Sequence, residues 1–241
     1  MGEERDWRGA LRMKRLYMTV EGQTEAAFVE DVLIEHLAGF RVNVWRPRFT
    51  GPSPRRRGHI PSGGMFNRFV HAIEDIRRWL KEDQSPDARF SMMVDLYELP
   101  SDFPGYEEAS LQNDCYRRAE ILEKAIFDQL GDNRFIPYLQ VHEFEALVLT
   151  DARQLADLYQ VRGGQLDRLV ADCAMFPSPE RINLGRQSHP KYRIKTVVQD
   201  YDENVAGPLV ASAIGLATLR LQCPHFGEWL TRLEQMDSAA A

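Results

Sequence analysis

The chain has 241 residues, is 44% hydrophobic and carries a formal net charge of -6. That length and apolar content suffice for a packed core and exclude a disordered chain, and the negative balance excludes a scaffold that holds nucleic acid by overall positive charge. Cys115, Cys173 and Cys223 lie far apart, which offers neither a zinc spacing nor a disulfide framework. No apolar run is long enough to span a bilayer, and the opening "MGEERDWRGALRMKR" mixes acids with bases where a signal peptide needs an apolar core. The expectation is a cytoplasmic protein.

In chain order, a buried strand is predicted at about residues 15–20, bounded by Glu21 and Gly22. A helix follows, with Ala26, Phe28, Val29, Val32, Leu33 and Leu37 on its inner face and Thr24 placed to cap it. "FRVNVW" gives a second strand at about 41–46, then a loop rich in Pro, Gly and Arg. Helical spacing resumes over 66–80. A third strand at about 90–95 ends on Asp95, one long helix is predicted over 107–130, and a fourth strand at about 135–141 runs into "HEFEALVL". Alternation of this kind implies a mostly parallel four-stranded sheet flanked by helices. From Asp151 the pattern turns helical, with stretches near 209–221 and 226–236. Residues 1–150 therefore read as an α/β core and 151–241 as a helical extension packed on it.

Three strands end in acids: Glu21 after the first, Asp95 on the third, Glu143 and Glu145 after the fourth. Strand ends at one edge of a parallel sheet bring residues together that are distant in sequence. Clustered carboxylates raise one another's pKa unless a cation neutralises them. Hard oxygen ligands suit Mg²⁺ or Mn²⁺, which activate water and stabilise a leaving oxygen in phosphodiester cleavage. Glu25, one turn from Glu21, is positioned to join them or to serve as a first-turn acid favoured by the helix dipole. The metal set expected is Glu21, Glu25 and Asp95.

"VEGQTE" before a helix, followed later by a strand ending in aspartate, resembles the Toprim fold of topoisomerases, primases and OLD-type nucleases. The ordered set "VEGQTE", "MVDLYELPSDFPG", "RFIPYLQVHEFEALVL", "SPERIN" and "CPHFGEWL" more closely resembles the bacterial family catalogued as domain of unknown function 4276 (DUF4276). The Toprim resemblance implies a Rossmannoid core that binds Mg²⁺ through a glutamate after the first strand and an Asp-rich motif after the third. Where Toprim nucleases carry Asp-x-Asp, this chain has Asp95-Leu96-Tyr97, so Glu98 or Asp102, or Glu143 with Glu145, would stand in. The OLD-type resemblance further implies a lysine at the metal, for which Lys195 or Lys191 is available, and an ABC-type ATPase partner in a phage-defence system. No P-loop occurs in this chain, so that ATPase would be a separate protein.

Six arginines and no acid lie in residues 41–60; of these Arg46, Arg48, Arg55, Arg56 and Arg57 are candidates for contacting DNA or RNA phosphates. His142, Glu143, Glu145 and Glu98 are expected to support the metal ligands from behind, with His142 and Glu145 at helical spacing and His142 also a candidate general base; a zinc protease is disfavoured because HExxH is absent. Cys223, His225 and Trp229 read as core and helix-start residues. Three functions follow: a Mg²⁺-dependent nuclease, a non-catalytic module that regulates the ATPase, or a small-molecule phosphotransferase or phosphatase, which would use the same acids but leaves the arginine loop unexplained. Self-association stays open.

Overall fold

The computed structural model of the chain describes residues 13–49, 66–97, 99–161, 164–182 and 185–236, with side chains from residue 73 onward in the second stretch after residue 65. Strand β1 (Lys14–Val20) leads into α1 (Gln23–Phe28), a π-helical turn (Val29–Leu33) and α2 (Ile34–Ala38). Then come β2 (Val42–Val44), β3 (Arg48–Phe49), α3 (Phe66–Glu82) and β4 (Ala88–Asp95). Helices α4 (Tyr106–Ser110) and α5 (Cys115–Leu130) precede β5 (Phe135–Ile136) and β6 (Leu139–Gln140). All pairings are parallel, in the order β2-β1-β4-β5, with β3 also beside β1 and β6 also beside β4.

The central strands are apolar on both faces, as a covered parallel sheet requires. Leu16, Met18, Val20 and Met93 pack with Phe28, Val29, Leu33, Ala206, Val210 and Phe226 on one side. Phe90, Met92 and Val94 pack with Ile76, Trp79, Ala119 and Leu122 of α3 and α5 on the other.

The sheet has six strands rather than the four expected: the strand predicted over 135–141 is interrupted, and β3 lies past the end of the one predicted over 41–46, in the stretch expected to be loop. Pro137 has no N–H to give to β4, so that ladder stops at Ile136 and resumes at Leu139. After β2 the amide of Trp45 still reaches the Leu16 carbonyl at 2.8 Å, and pairing restarts with Arg48 just past Pro47. The helix expected over 107–130 is also two. Asp114 accepts hydrogen bonds from the amides of Tyr116 and Arg117, starting α5 afresh after α4 has ended. Nor is Thr24 the cap of α1. Gly22 holds that position and donates its N–H to Glu25 Oε2 at 2.7 Å, while Thr24 is buried in the first turn.

The rest of the chain is helical: α6 (Glu145–Val148), a 3-10 segment (Leu149–Asp157), α7 (Gln165–Cys173), a 3-10 turn (Pro179–Arg181), α8 (Pro190–Val197), α9 (Glu203–Ile214), α10 (Leu216–Gln222) and α11 (Pro224–Glu234). Helix α9 lies directly on α1. A Cβ at Gly207 would stand 3.0 Å from Thr24 Cγ2, so a larger residue there would need the neighbouring side chains to give by a few tenths of an ångström. Helix α11 is fastened to the sheet by Trp229 Nε1, which donates to Ser91 Oγ at 3.0 Å, and Ser91 donates to the Ile136 carbonyl at 2.6 Å. Among the described residues no single helix is long and apolar enough to cross a membrane.

Candidate active site

From β1 the chain turns outward to β2, then returns to β4 on the opposite side of β1. Such a reversal of strand order opens a crevice at the carboxyl ends of the two strands, where open α/β sheets bind ligands. Glu21 follows β1 and Asp95 ends β4, so both stand at this crevice, and Asp95 N–H donates to Glu21 Oε2 at 3.0 Å. Glu25 sits in the first turn of α1, buried, with Oε2 on the Gly22 amide. The strand β6 runs parallel to β4 and delivers Glu143 and Glu145, both buried, to the same edge.

Between β6 and α6 the backbone of His142 adopts φ +64°, a left-handed conformation that a side chain disfavours. Its carbonyl accepts from Tyr97 N–H at 2.8 Å, which holds the turn against the end of β4. The kink takes His142 out of the helix that begins at Glu145, so the helical spacing expected of that pair is not realised. Burial, with Arg118 nearby, lowers the His142 pKa to about 4, leaving a neutral ring at pH 7.

Helix α8 crosses the edge from the second half of the chain. Glu143 Oε2 accepts from His189 Nδ1 at 2.7 Å and from the Lys191 amide at 3.1 Å. Lys191 Nζ lies 3.4 Å from Glu203 and 3.9 Å from Glu145 Oε1. Lys195, one turn on, is exposed and pairs with Glu203 at 3.7 Å. Of the two lysines weighed from sequence, the one in contact with the acidic group is therefore Lys191. His189 was not foreseen; a histidine followed by proline at a helix start carries no pattern of its own, and only the fold brings it to Glu143.

The carboxylates repel one another in a partly dry environment. Asp95 Oδ1 and Glu145 Oε1 are buried without a hydrogen-bond partner among the described residues. Burial first, and then Glu25, Glu21, Glu145 and Glu143, push the Asp95 carboxyl well above the usual range. Burial and the charge of Glu21 raise Glu25 to about 7. Burial raises Glu145 to about 8 against the opposing pull of Lys191. Burial alone would lower the Lys191 ammonium, but Glu145, Glu203, Glu143 and Asp95 more than reverse this, so it stays charged.

Arg46 is exposed and 3.3 Å from Glu30, and Arg48 stacks its guanidinium over Trp79 at 4.2 Å. The strand carrying Arg48 nevertheless pairs Phe49 with Val20, at the crevice edge. Arg55, Arg56, Arg57 and Glu98 lie outside the described residues.

Among the described residues no group of three or more His, Cys, Asp and Glu side chains is arranged to hold a metal ion. Two oxygens that would be ligands, one each on Glu21 and Glu25, are instead on backbone amides. By chemistry the donor set fits a hard divalent cation: all its ligands are carboxylates, one carries an orphaned buried oxygen, and their mutual repulsion is what a cation relieves. A cation held here would compete with those two amides.

The family model described as "Domain of unknown function (DUF4276)" matches residues 20–234. No curated protein and no solved structure matches the chain. The matching span holds both "SPERIN" and "CPHFGEWL", which meet in space. Glu180 accepts from the amides of His225 and Phe226 at 3.0 and 2.9 Å, and Ser178 Oγ donates to the Gln222 carbonyl at 2.9 Å.

Proposed function

The chain belongs to the DUF4276 family, and we propose that it is a divalent-metal-dependent phosphodiesterase that cleaves nucleic acid. The observation that carries the reading is the Asp95 carboxylate, with a buried unpartnered oxygen and four neighbouring glutamates, at the switch point of a parallel sheet. Glu21, Glu25 and Asp95 would hold Mg²⁺ or Mn²⁺; when bound, the ion polarises a phosphoryl oxygen and lowers the pKa of water. The Toprim-like arrangement, a glutamate after β1 and an aspartate on β4, supports the same reading.

The chain's own groups supply the rest. Lys191, held charged by Glu145 and Glu203, places a cation beside the carboxylates where negative charge gathers on a transferring phosphoryl group. The arginines of residues 41–60 favour a polyanionic substrate, DNA or RNA, and Phe49 leads into that stretch from the crevice edge. An ABC-type ATPase is the partner that the OLD-type resemblance supports. The free cysteines Cys115, Cys173 and Cys223 accord with a reducing, cytoplasmic setting.

One observation favours the alternative, a non-catalytic module that regulates such an ATPase. Lys191 already offsets part of the acidic charge, and among the described residues no three of these side chains are arranged to hold a metal ion. The two readings separate in a cleavage assay with Mg²⁺ or Mn²⁺ on mixed DNA and RNA, run with and without the ATPase. The nuclease is expected to cut, to stop with EDTA, and to lose at least ~10²-fold in Glu21→Gln. An ATPase-competent pair that cuts nothing, with Glu21→Gln equal to wild type in cells, supports the module instead.

A further inference from the structure

His189 occupies the N-cap position of α8, yet its side chain makes no capping bond. The usual occupants there are Ser, Thr, Asp or Asn, whose oxygens accept from the first free amides. Here that task passes to another residue: Glu143 Oε2 accepts from the Lys191 amide at 3.1 Å. The imidazole is thus not required by the helix. It is nonetheless fixed on two sides. Nδ1 meets Glu143 Oε2 at 2.7 Å, and the ring lies on Tyr97, centroids 4.9 Å apart and planes 19° from parallel. Tyr97 stands two residues past Asp95, and its amide is tied to the strained His142 turn that precedes Glu143. Both clamps therefore come from the crevice edge itself.

We infer that His189 is the general base of this site and Glu143 the residue that positions it. A carboxylate at Nδ1 selects the tautomer with the proton on Nδ1 and leaves Nε2 as an acceptor. No bond from Nε2 occurs among the described residues. Nε2 takes a proton from water as the water oxygen forms its bond to phosphorus and the bond from phosphorus to the leaving oxygen breaks. The resulting imidazolium is paired with Glu143 and returns its proton to solvent, and the leaving oxygen takes one from solvent. The charged group that meets the ring is Glu143 from the β6–α6 connection, while Lys191, two residues on in the same helix, directs its ammonium to Glu145 and Glu203; Tyr97 and Tyr192 contribute rings.

This inference rests on the phosphodiesterase reading, and its test separates the two. In wild type that cleaves, His189→Ala is expected to slow cleavage about 10²- to 10⁴-fold and to recover in part with added imidazole. Glu143→Gln should slow cleavage less. An active wild type whose His189→Ala variant keeps the same rate overturns the inference and spares the reading; a wild type that cuts nothing removes both. Nitrogen NMR of the metal-free protein gives an answer independent of cleavage. The neutral His189 ring should carry its proton on Nδ1, and less uniformly so in Glu143→Gln. A ring protonated on Nε2 overturns the inference.

Discussion

Asp95→Asn is expected to make the metal-free protein more stable at pH 8, while removing its response to divalent cations. Asp95, Glu25 and Glu145 all have folded-state pKa values raised above those of the unfolded chain, to about 7 for Glu25 and about 8 for Glu145. Between pH 6.5 and 8 the native protein therefore holds more protons than the unfolded one. Stability present at lower pH is lost as pH rises through the folded values, by ~1.4 kcal/mol per pH unit for each carboxyl still protonated in the fold. His142, lowered to about 4, acts in the opposite sense but only below pH 6.5, outside this window. His225, whose raised pKa comes from Glu123 overcoming its burial, slopes the same way as the carboxyls but is unchanged by the substitution. In EDTA, urea unfolding should show wild-type stability falling across the window and Asp95→Asn falling less. Excess Mg²⁺ at pH 8 should restore wild type by ~2–3 kcal/mol at about 100 times its dissociation constant and leave the variant unmoved. Equal slopes, or equal responses to Mg²⁺, would show that the acidic group is a solvated strand edge.

The second large effect is structural. Glu180 is fully buried, and its two oxygens accept from the first amides of α11, at 3.0 and 2.9 Å. Its carbonyl accepts from Cys115 Sγ at 3.5 Å, so the 3-10 turn that carries it also touches α5. Glu180→Ala strands two buried donors at once and should cost about 3–5 kcal/mol, a large part of the 5–15 kcal/mol typical of a domain. Glu180→Gln keeps one accepting oxygen and should cost roughly half as much. Denaturant midpoints measure both. A loss below about 1 kcal/mol for Glu180→Ala would mean that α11 is held by Trp229 and the apolar packing alone.

What was legible in the sequence, and what was not, follows from the range of the interactions. The runs ending at Glu21 and Asp95 are apolar on both faces, and that marks central parallel strands; their acids then share an edge by topology alone. Pro137 is a local signal for the break in its ladder, but the largely apolar run around it reads as one continuous buried strand over 135–141. Thr24 looked like a cap because threonine caps often; the actual bond runs from Gly22 to Glu25, a carboxylate equally suited to it. His142 and Glu145 have helical spacing, yet the left-handed turn at His142 is imposed by its bond to Tyr97 across 45 residues of chain. His189 and Lys191 reach Glu143 from a separate helix, and no local pattern announces such a meeting. "SPERIN" and "CPHFGEWL" were seen as signatures; that Glu180 joins them needed the fold.

The central claim is that Glu21, Glu25 and Asp95 accept a divalent cation in exchange for protons and a strained charge cluster. Calorimetric titration of Mn²⁺ into the protein at pH 7.5, in two buffers of different ionisation heat, addresses it most directly. The account predicts saturable binding with a buffer-dependent heat, because carboxyls raised to about 7 and about 8 release protons as the ion enters. It also predicts loss of that binding in Glu21→Gln and Asp95→Asn proteins that remain folded. Absence of binding in wild type, or the same affinity in both variants, would contradict it.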